Sequence, residues 1–334
     1  MIWSVCRWNV HISRSDREAT AVLLENMRQR AERFRDPVTM IGWHGWAGAR
    51  AFYLGDFVQA RDEMTKATEW YHTEGYRSYV EQYGYDGGIM VYAVLAWTLW
   101  ILGYPERARD TCNEMLAIAE RTANPGAVAA VLAYAANVAR ECRDLESVLQ
   151  LTNRIMSFGR AWAAPALCTQ GWAMAQRGDV EGGIAKIRRG LTTFQRAGLQ
   201  GTYDYHRSAL VDALLLRGEV EEALPIVRDG LARCQTLLDR FHEAELHRLE
   251  GELLRLGGDV PAAEVAFRVA LELARRQSAK SYELRAAMSH ARLLRDQGKR
   301  DAARELLAPV HGWFTEGHDT DDLREAAALL AELR

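Results

Sequence analysis

Residues 251–270 read GELLRLGGDVPAAEVAFRVA and contain a short turn, Gly258-Asp259-Val260, between two runs of helix-forming residues. Small residues stand seven positions before Gly258 and five and twelve positions after it, and a phenylalanine stands nine after it. Small residues let two antiparallel helices approach closely, while large side chains fill the space between neighbouring helix pairs. The stretch therefore predicts a helical hairpin that turns at Gly258.

This turn recurs along the whole chain. The turns stand near residues 14, 55, 103, 143, 178, 218, 258 and 298, and the last four are 40 residues apart. One hairpin cannot bury its own apolar stripe, so eight turns predict eight stacked hairpins in a single array over residues 1–334. Thr320-Asp321-Asp322 places acidic residues at the start of a final helix, which we expect to cap the array over residues 320–334.

The alternation of small and large residues is the pattern of tetratricopeptide repeats. Around Gly178 the same positions hold Gly171, Gly183, Ile187 and Gly190. HEAT-type repeats have a similar period, but the glycine–alanine–phenylalanine–alanine spacing favours the tetratricopeptide pattern. We therefore predict an all-α, right-handed solenoid of about eight helical hairpins with a C-terminal capping helix.

Composition and charge argue against several kinds of partner. The formal net charge is −3, so no global basic field would attract nucleic acid or an anionic membrane. The most apolar run, Val91–Leu102, is shorter than the roughly 20 residues that span a bilayer. Five scattered cysteines without a C-x-x-C pair indicate reduced thiols, and His242 and His247 are wrongly spaced for a shared zinc site. We expect a cytoplasmic protein that binds neither nucleic acid nor membrane and needs no metal or cofactor.

Six segments carry a family resemblance: Tyr85–Gly88, Ala96–Pro105, Glu245–Leu254, Leu273–Gln277, Ser281–Ala287 and Trp313–Thr320. They resemble the C-terminal tetratricopeptide region of bacterial adenylate/guanylate cyclase-like proteins and of predicted signalling ATPases. In that family the region follows a cyclase and a nucleotide-binding ATPase module, and this chain has no G-x-x-x-x-G-K-[ST] loop. The resemblance implies an interaction or sensory region of bacterial signalling, excised from a longer protein or encoded alone. It implies no cyclase or ATPase activity here.

In such solenoids the first helices of successive pairs line a concave groove. Counting from the packing positions predicts twelve groove-facing side chains: Trp97, Trp100, Asn137, Arg140, Trp172, Asp212, Arg248, Glu252, Arg255, Arg285, Arg292 and Arg295. The groove would be aromatic in its first half and arginine-rich in its last, which suits a peptide with an apolar segment and acidic groups. The alternative is that the tryptophans belong to the core and the arginines are solvated or paired with Glu252 and its neighbours.

A long connection, residues 74–88, offers a second candidate surface. Its polar and aromatic side chains are Tyr76, Tyr79, Tyr83, Tyr85 and Asp86. Long ordered loops on repeat arrays often carry function. The alternative is a helix extension that covers the adjacent groove.

The sequence favours a scaffold that binds a protein or peptide through the groove. A solenoid enzyme with a small substrate is a second hypothesis, which a closed pocket with converging Arg140, Tyr205 and Asp212 would support. A ligand-sensing receptor is the third. Because the first hairpin lacks an upstream cap, we also expect that it could form a homodimer or mark the place where upstream sequence was removed.

Overall fold

The computed structural model describes residues 11–12, 16–83, 86–121, 124–158, 162–237 and 239–334, without the side chains of residues 79, 82 and 83. Over these residues the chain forms 17 helices and no strand. The helices are α1 (Arg17–Phe34), α2 (Pro37–Leu54), α3 (Phe57–Tyr71), α4 (Glu74–Tyr83), α5 (Ile89–Ile101), α6 (Pro105–Arg121), α7 (Pro125–Glu141), α8 (Leu145–Ser157), α9 (Ala163–Gln176), α10 (Val180–Arg196), α11 (Tyr203–Arg217), α12 (Val220–Thr236), α13 (Glu243–Leu256), α14 (Val260–Arg276), α15 (Lys280–Asp296), α16 (Arg300–His311) and α17 (Asp321–Glu332).

The helices pack as consecutive antiparallel pairs. Seven hairpins run α2–α3, α5–α6, α7–α8, α9–α10, α11–α12, α13–α14 and α15–α16, and each first helix also contacts a neighbouring pair. α1 packs on α2, α4 is an extra helix in the connection after α3, and α17 packs on α15 and α16. The predicted all-α solenoid of helical hairpins with a C-terminal capping helix is confirmed. The turn predicted near residue 14 lies outside the described residues.

All seven hairpin turns close with the same backbone hydrogen bonds. At Gly258 the amide donates to the carbonyl oxygen of Arg255 (3.1 Å), and the next amide, of Asp259, donates to that of Leu254 (2.9 Å). The residue at the turn has a positive φ, between +59° at Arg143 and +101° at Gly178. Six of the seven are glycines, which adopt this conformation at low cost, and only Arg143 carries a side chain there.

The small residues predicted from the repeat bring the two helices of a hairpin into contact. A Cβ atom on Gly171 of α9 would lie 2.6 Å from the carbonyl oxygen of Gly183 on α10, and a Cβ on Gly183 would meet the carbonyl oxygen of Gly171 at 2.5 Å. Neither position has room for a side chain. The spacing of glycines in the sequence thus sets how closely the two helices pack.

The solenoid closes on itself, so residues far apart in sequence meet inside it. Ser281 Oγ donates to the carbonyl oxygen of Trp100 (2.5 Å), and the amide of Arg240 donates to the carbonyl oxygen of Tyr53 (2.7 Å). These contacts join α15 to α5 and the segment before α13 to α2. An open solenoid would bring only neighbouring repeats together.

Four aromatic side chains fill the interior of the superhelical turn that these contacts close: Phe52, Trp97, Tyr205 and Phe241. We call them the aromatic centre, and we call the superhelical turn around them the closed turn. Each is 1% exposed or less. The ring centroids of Trp97 lie 5.4 Å from Phe52, 4.6 Å from Tyr205 and 5.0 Å from Phe241. The inner surface at this level is therefore a core and not an open groove.

A segment near the carboxyl terminus fastens the closed turn from outside. Glu316 Oε1 accepts hydrogen bonds from the amides of Glu106 (3.0 Å) and Arg107 (3.1 Å), and its Oε2 accepts one from Arg107 Nε (3.0 Å). Asp319 forms a bidentate ion pair with Arg109, with both N–O distances at 2.9 Å. Glu316 thus caps the amino terminus of α6 from 210 residues away.

Replacing Trp97 by alanine should lower the free energy of unfolding by about 3–5 kcal/mol, because it empties the middle of the aromatic centre. Urea denaturation followed by circular dichroism measures this. Leu216→Ala, at a 53% exposed position, is the control and should change stability by no more than about 0.5 kcal/mol. Equal effects of the two substitutions would show that closure contributes little.

Glu316→Gln should lower the free energy of unfolding by about 1 kcal/mol, since it removes a charged cap from the start of α6. The same denaturation experiment applies, with Glu332→Gln as the control. Glu332 is an exposed carboxylate of α17 that pairs with Arg295 at 2.7 Å. A loss no larger than that of the control would contradict a fastening role for Glu316.

Candidate functional site

Beyond the aromatic centre, the inside of the solenoid remains open as a pocket of about 400 Å³. Its walls come from α7, α9, α11, α13 and α15, the first helices of five successive hairpins, and from α17. Six arginines line it: Arg140, Arg143, Arg248, Arg255, Arg285 and Arg292. Six carboxylates line it as well: Glu141, Asp212, Glu245, Glu252, Asp322 and Glu325. We call this the charged pocket.

The deepest arginines are held by carboxylates of the chain itself. Arg248 forms a fork-like pair with Glu245, with Nε–Oε2 and Nη2–Oε1 distances of 2.9 and 2.7 Å. Arg285 donates from Nε to Asp322 (2.7 Å) and from Nη1 to Glu141 (2.8 Å). Burial acts to raise the pKa of the Glu245 carboxyl, but Arg248 and Arg285 more than offset it, so the pKa is lowered. These pairs fix the shape of the floor.

Arg140 joins the pocket to the aromatic centre. Its guanidinium donates to the carbonyl oxygen of Tyr205 (3.0 Å), to Ser208 Oγ (2.9 Å) and to Asp212 Oδ2 (3.2 Å), and it stacks 4.5 Å from the Tyr205 ring centroid. Trp172 Nε1 donates to the same Asp212 oxygen at 3.1 Å. Arg140 and Asp212 therefore face the pocket as an ion pair, while the Tyr205 ring lies buried behind them.

The rim is more exposed and combines charge with apolar surface. Arg143 and Arg292 both contact Glu325, and Arg255 donates to Glu252 at 3.1 Å. Two leucines line the pocket at equivalent positions, two residues before their turn glycines. They are Leu216 and Leu256, 53% and 48% exposed. The pocket as a whole is charge-balanced, since each of its six arginines contacts a carboxylate.

Two histidines near Arg140 are buried, and one of them, His242, lines the pocket. His242 contacts Tyr282 Oη and Ser208 Oγ, each at 3.1 Å, while both ring nitrogens of His206 are buried without a hydrogen-bond partner among the described residues. Burial, reinforced by Arg140, lowers the pKa of both imidazoles well below its usual value. Both rings are therefore neutral in the folded protein.

Eight of the twelve predicted groove residues line the charged pocket: Arg140, Trp172, Asp212, Arg248, Glu252, Arg255, Arg285 and Arg292. Their role in binding remains a prediction. The prediction that Trp97, Trp100 and Asn137 face an open groove is wrong. These side chains are 0%, 3% and 4% exposed, because the solenoid closes over them. Arg295 lies outside the pocket and pairs with Glu332 and Asp296.

The connection at residues 74–88 contains the short helix α4, which packs against α2 and α3. Asp86 anchors it, accepting hydrogen bonds from Tyr71 Oη (2.5 Å) and Tyr76 Oη (3.0 Å). Tyr71, Tyr76 and Asp86 line a second cavity of about 470 Å³. The side chains of the other predicted loop residues, Tyr79, Tyr83 and Tyr85, lie outside the described part of the chain.

Sequence reasoning placed Asp212 and Glu252 in the groove but missed the other four carboxylates of the pocket, Glu141, Glu245, Asp322 and Glu325. It also missed the rim residues Arg143, Leu216 and Leu256. The two leucines could have been found from the sequence. Each stands two residues before its turn glycine, at a position where a polar surface residue would be expected. Asp322 and Glu325 had no such signal, because the sequence indicates only a capping role for α17 and does not show which of its side chains face the arginines of α15. Over the described residues, no group of three or more His, Cys, Asp or Glu side chains is arranged to hold a metal ion. Within the same residues, every helix is too short or too polar to cross a membrane.

Comparison with known proteins adds to this geometry. No family model matches the chain. An uncharacterized protein of Rhizobium meliloti (strain 1021) is 26% identical over 245 residues, which is 71% of this chain and 24% of that protein. The chain thus spans about a quarter of the length of that relative.

Two solved structures share the solenoid fold. A Rap protein complexed with Competence and Sporulation Factor is similar with a TM-score of 0.59 at 12% identity, over 88% of this chain and 80% of that one. A human IFIT1 dimer with PPP-AAAA has a TM-score of 0.50 at 14% identity, over 94% of this chain and 69% of that one. At these identities the likeness shows the tetratricopeptide-type fold alone.

His206→Leu should weaken the pH dependence of stability. Below about pH 6.5 the unfolded chain protonates this histidine and the folded chain does not, so stability falls as the pH falls. The difference in unfolding free energy between pH 7.5 and pH 5.5 should shrink by about 1 kcal/mol in the variant. Urea denaturation at the two pH values measures it.

Leu210→Ala is the control. Leu210 is buried on the same helix as His206, and its side chain does not titrate. This substitution should lower stability equally at both pH values. An unchanged pH dependence in His206→Leu would contradict a neutral, buried imidazole.

Proposed function

We propose that the chain is a peptide- or protein-binding repeat module and that the charged pocket is its binding site. The observation that carries the proposal is that closure fills one end of the solenoid interior with aromatic rings and leaves the other end open. What remains open combines exposed leucines with paired charges on five successive first helices. Concave sites of a few hundred Å³ with convergent polar groups are typical of ligand binding.

The chemistry of the pocket favours a peptide. Leu216 and Leu256 offer an apolar surface for a nonpolar side chain, and the rim arginines and carboxylates offer partners for backbone and charged groups. A peptide supplies all of these in one extended ligand. A Rap protein of the same fold is complexed with Competence and Sporulation Factor, which shows that this fold can hold a ligand.

Several finer statements belong to this proposal. A place in bacterial signalling rests only on the family resemblance. The cytoplasmic location rests on the scattered cysteines. The IFIT1 dimer with PPP-AAAA shares the fold, so the fold itself does not exclude nucleic acid, and only the balanced charge of the pocket argues against it. Homodimer formation through the first hairpin stays a prediction.

A small-molecule ligand is the second candidate. Arg140 and Asp212 face the pocket as an ion pair, and the Tyr205 ring stacks on Arg140 behind it. Tyr205 is fully buried, and burial raises the pKa of its phenol well above the usual value. The phenol is thus neutral and shielded, which supports a structural or orienting role and not proton transfer.

Selection from a random peptide library displayed on phage should yield binders that depend on the pocket leucines. The double variant Leu216→Ala/Leu256→Ala should weaken the selected peptides about tenfold, since two apolar contacts are lost. Fluorescence anisotropy measures the dissociation constants.

Val265→Ala/Val269→Ala is a matched control, because both valines are exposed on α14 outside the pocket. It should leave affinity unchanged. Binders that tolerate the leucine variant would contradict the pocket as the site. A library without binders, together with a metabolite that stabilises the chain, would favour the small-molecule candidate.

A further inference from the structure

One carboxylate at the rim of the charged pocket bridges two arginines from distant parts of the chain. One oxygen of Glu325 contacts Nη1 of Arg143, and the other accepts a hydrogen bond from Nη2 of Arg292 at 3.0 Å. The three side chains are 40%, 36% and 37% exposed. Water and ligands can therefore reach this cluster, unlike the ion pairs on the floor.

Two guanidinium groups that converge on one carboxylate form an anion-binding site. Here the anion belongs to the chain itself. Glu325 stands on α17, whose apolar face, with Leu323, Ala326 and Leu329, is buried against α15 and α16. Because that face anchors the helix, the Glu325 side chain can rotate away from the arginines without α17 leaving its place.

The backbone at Arg143 supports a specific role for this side chain. It has a φ of +59° at a turn where the other six hairpins have glycine. A non-glycine residue is strained in this region, and such strain clusters at functional sites. What the arginine adds over glycine is its reach to Glu325 and Asp322 on α17.

We propose that Arg143 and Arg292 bind a carboxylate of an acidic peptide and that Glu325 is an internal competitor that occupies this site until the peptide displaces it. The inference rests on the proposed function, since it names the ligand group that the pocket selects. A ligand carboxylate that replaces Glu325 between the two arginines leaves their charge compensated. A neutral peptide would leave the Glu325 contacts in place and gain nothing from them.

The test compares two fluorescein-labelled, C-terminally amidated hexapeptides, one of alternating leucine and glutamate and the other with glutamine in place of glutamate. Glu325→Gln should bind the glutamate peptide about fivefold more tightly than the wild type, because the competitor is weakened. The glutamine peptide should bind both proteins equally. Fluorescence anisotropy gives the dissociation constants.

Two further variants separate the site from folding. Glu332→Gln breaks an ion pair between Arg295 of α15 and Glu332 of α17, the two helices that carry Arg292 and Glu325, but it lies outside the pocket. It should leave the affinities for both peptides unchanged. Arg143→Gly installs the residue that the other turns use, so the fold is preserved. It should abolish the gain that Glu325→Gln gives with the glutamate peptide.

Equal binding of the glutamate peptide to the wild type and Glu325→Gln, or an equal gain with the glutamine peptide, would overturn the inference. Inorganic phosphate that binds Glu325→Gln as tightly as the glutamate peptide would show a site for free anions and overturn the peptide assignment. Library peptides that depend on the pocket leucines but ignore Glu325→Gln would keep the proposed function and remove the competitor. A library without any binder would instead count against the proposed function.

Discussion

The packing of Trp97 against Phe52, Tyr205 and Phe241 is the contact on which the rest of the structure depends. It joins the first and second hairpins to the fifth and to the segment before the sixth. In an open solenoid, stability is close to a sum of neighbouring interfaces. Here the ends of one superhelical turn also meet, so the first two hairpins and the last two stabilise each other. Closure therefore decides which inner surfaces become core and which remain accessible.

The charged pocket follows from the same constraint. Closure brings the end of α7 against α15 and α17, so that Glu141 reaches Arg285 and Arg143 reaches Glu325. Burying a guanidinium without a partner is costly, and the paired arrangement avoids this cost. The pocket is consequently polar, pre-shaped and electrically balanced. Such a site discriminates by the arrangement of charges and not by an excess of one sign.

The parts of the structure that could be predicted from sequence are those encoded locally. Each turn residue, such as Gly258, and each small residue, such as Gly171, acts within its own hairpin, so spacing alone reveals it. The arginine-rich half of the inner surface was also accessible, because helical periodicity places Arg248 and Arg285 on the inward face. The fate of Trp97 was not. It depends on the pitch of the whole superhelix, which sums small angles over many repeats and has no local signature.

The bonds from Glu316 to the start of α6 have a consequence for how the gene could vary. Open repeat arrays can lengthen or shorten by duplication or loss of whole units, because each unit needs only its neighbours. In this chain the segment that carries Glu316 reaches α6 only after a fixed number of intervening hairpins. One unit more would carry it past α6, and one unit fewer would leave it short. The closed turn thus fixes the number of repeats, so that the chain can vary by substitution within units but not by gain or loss of whole units.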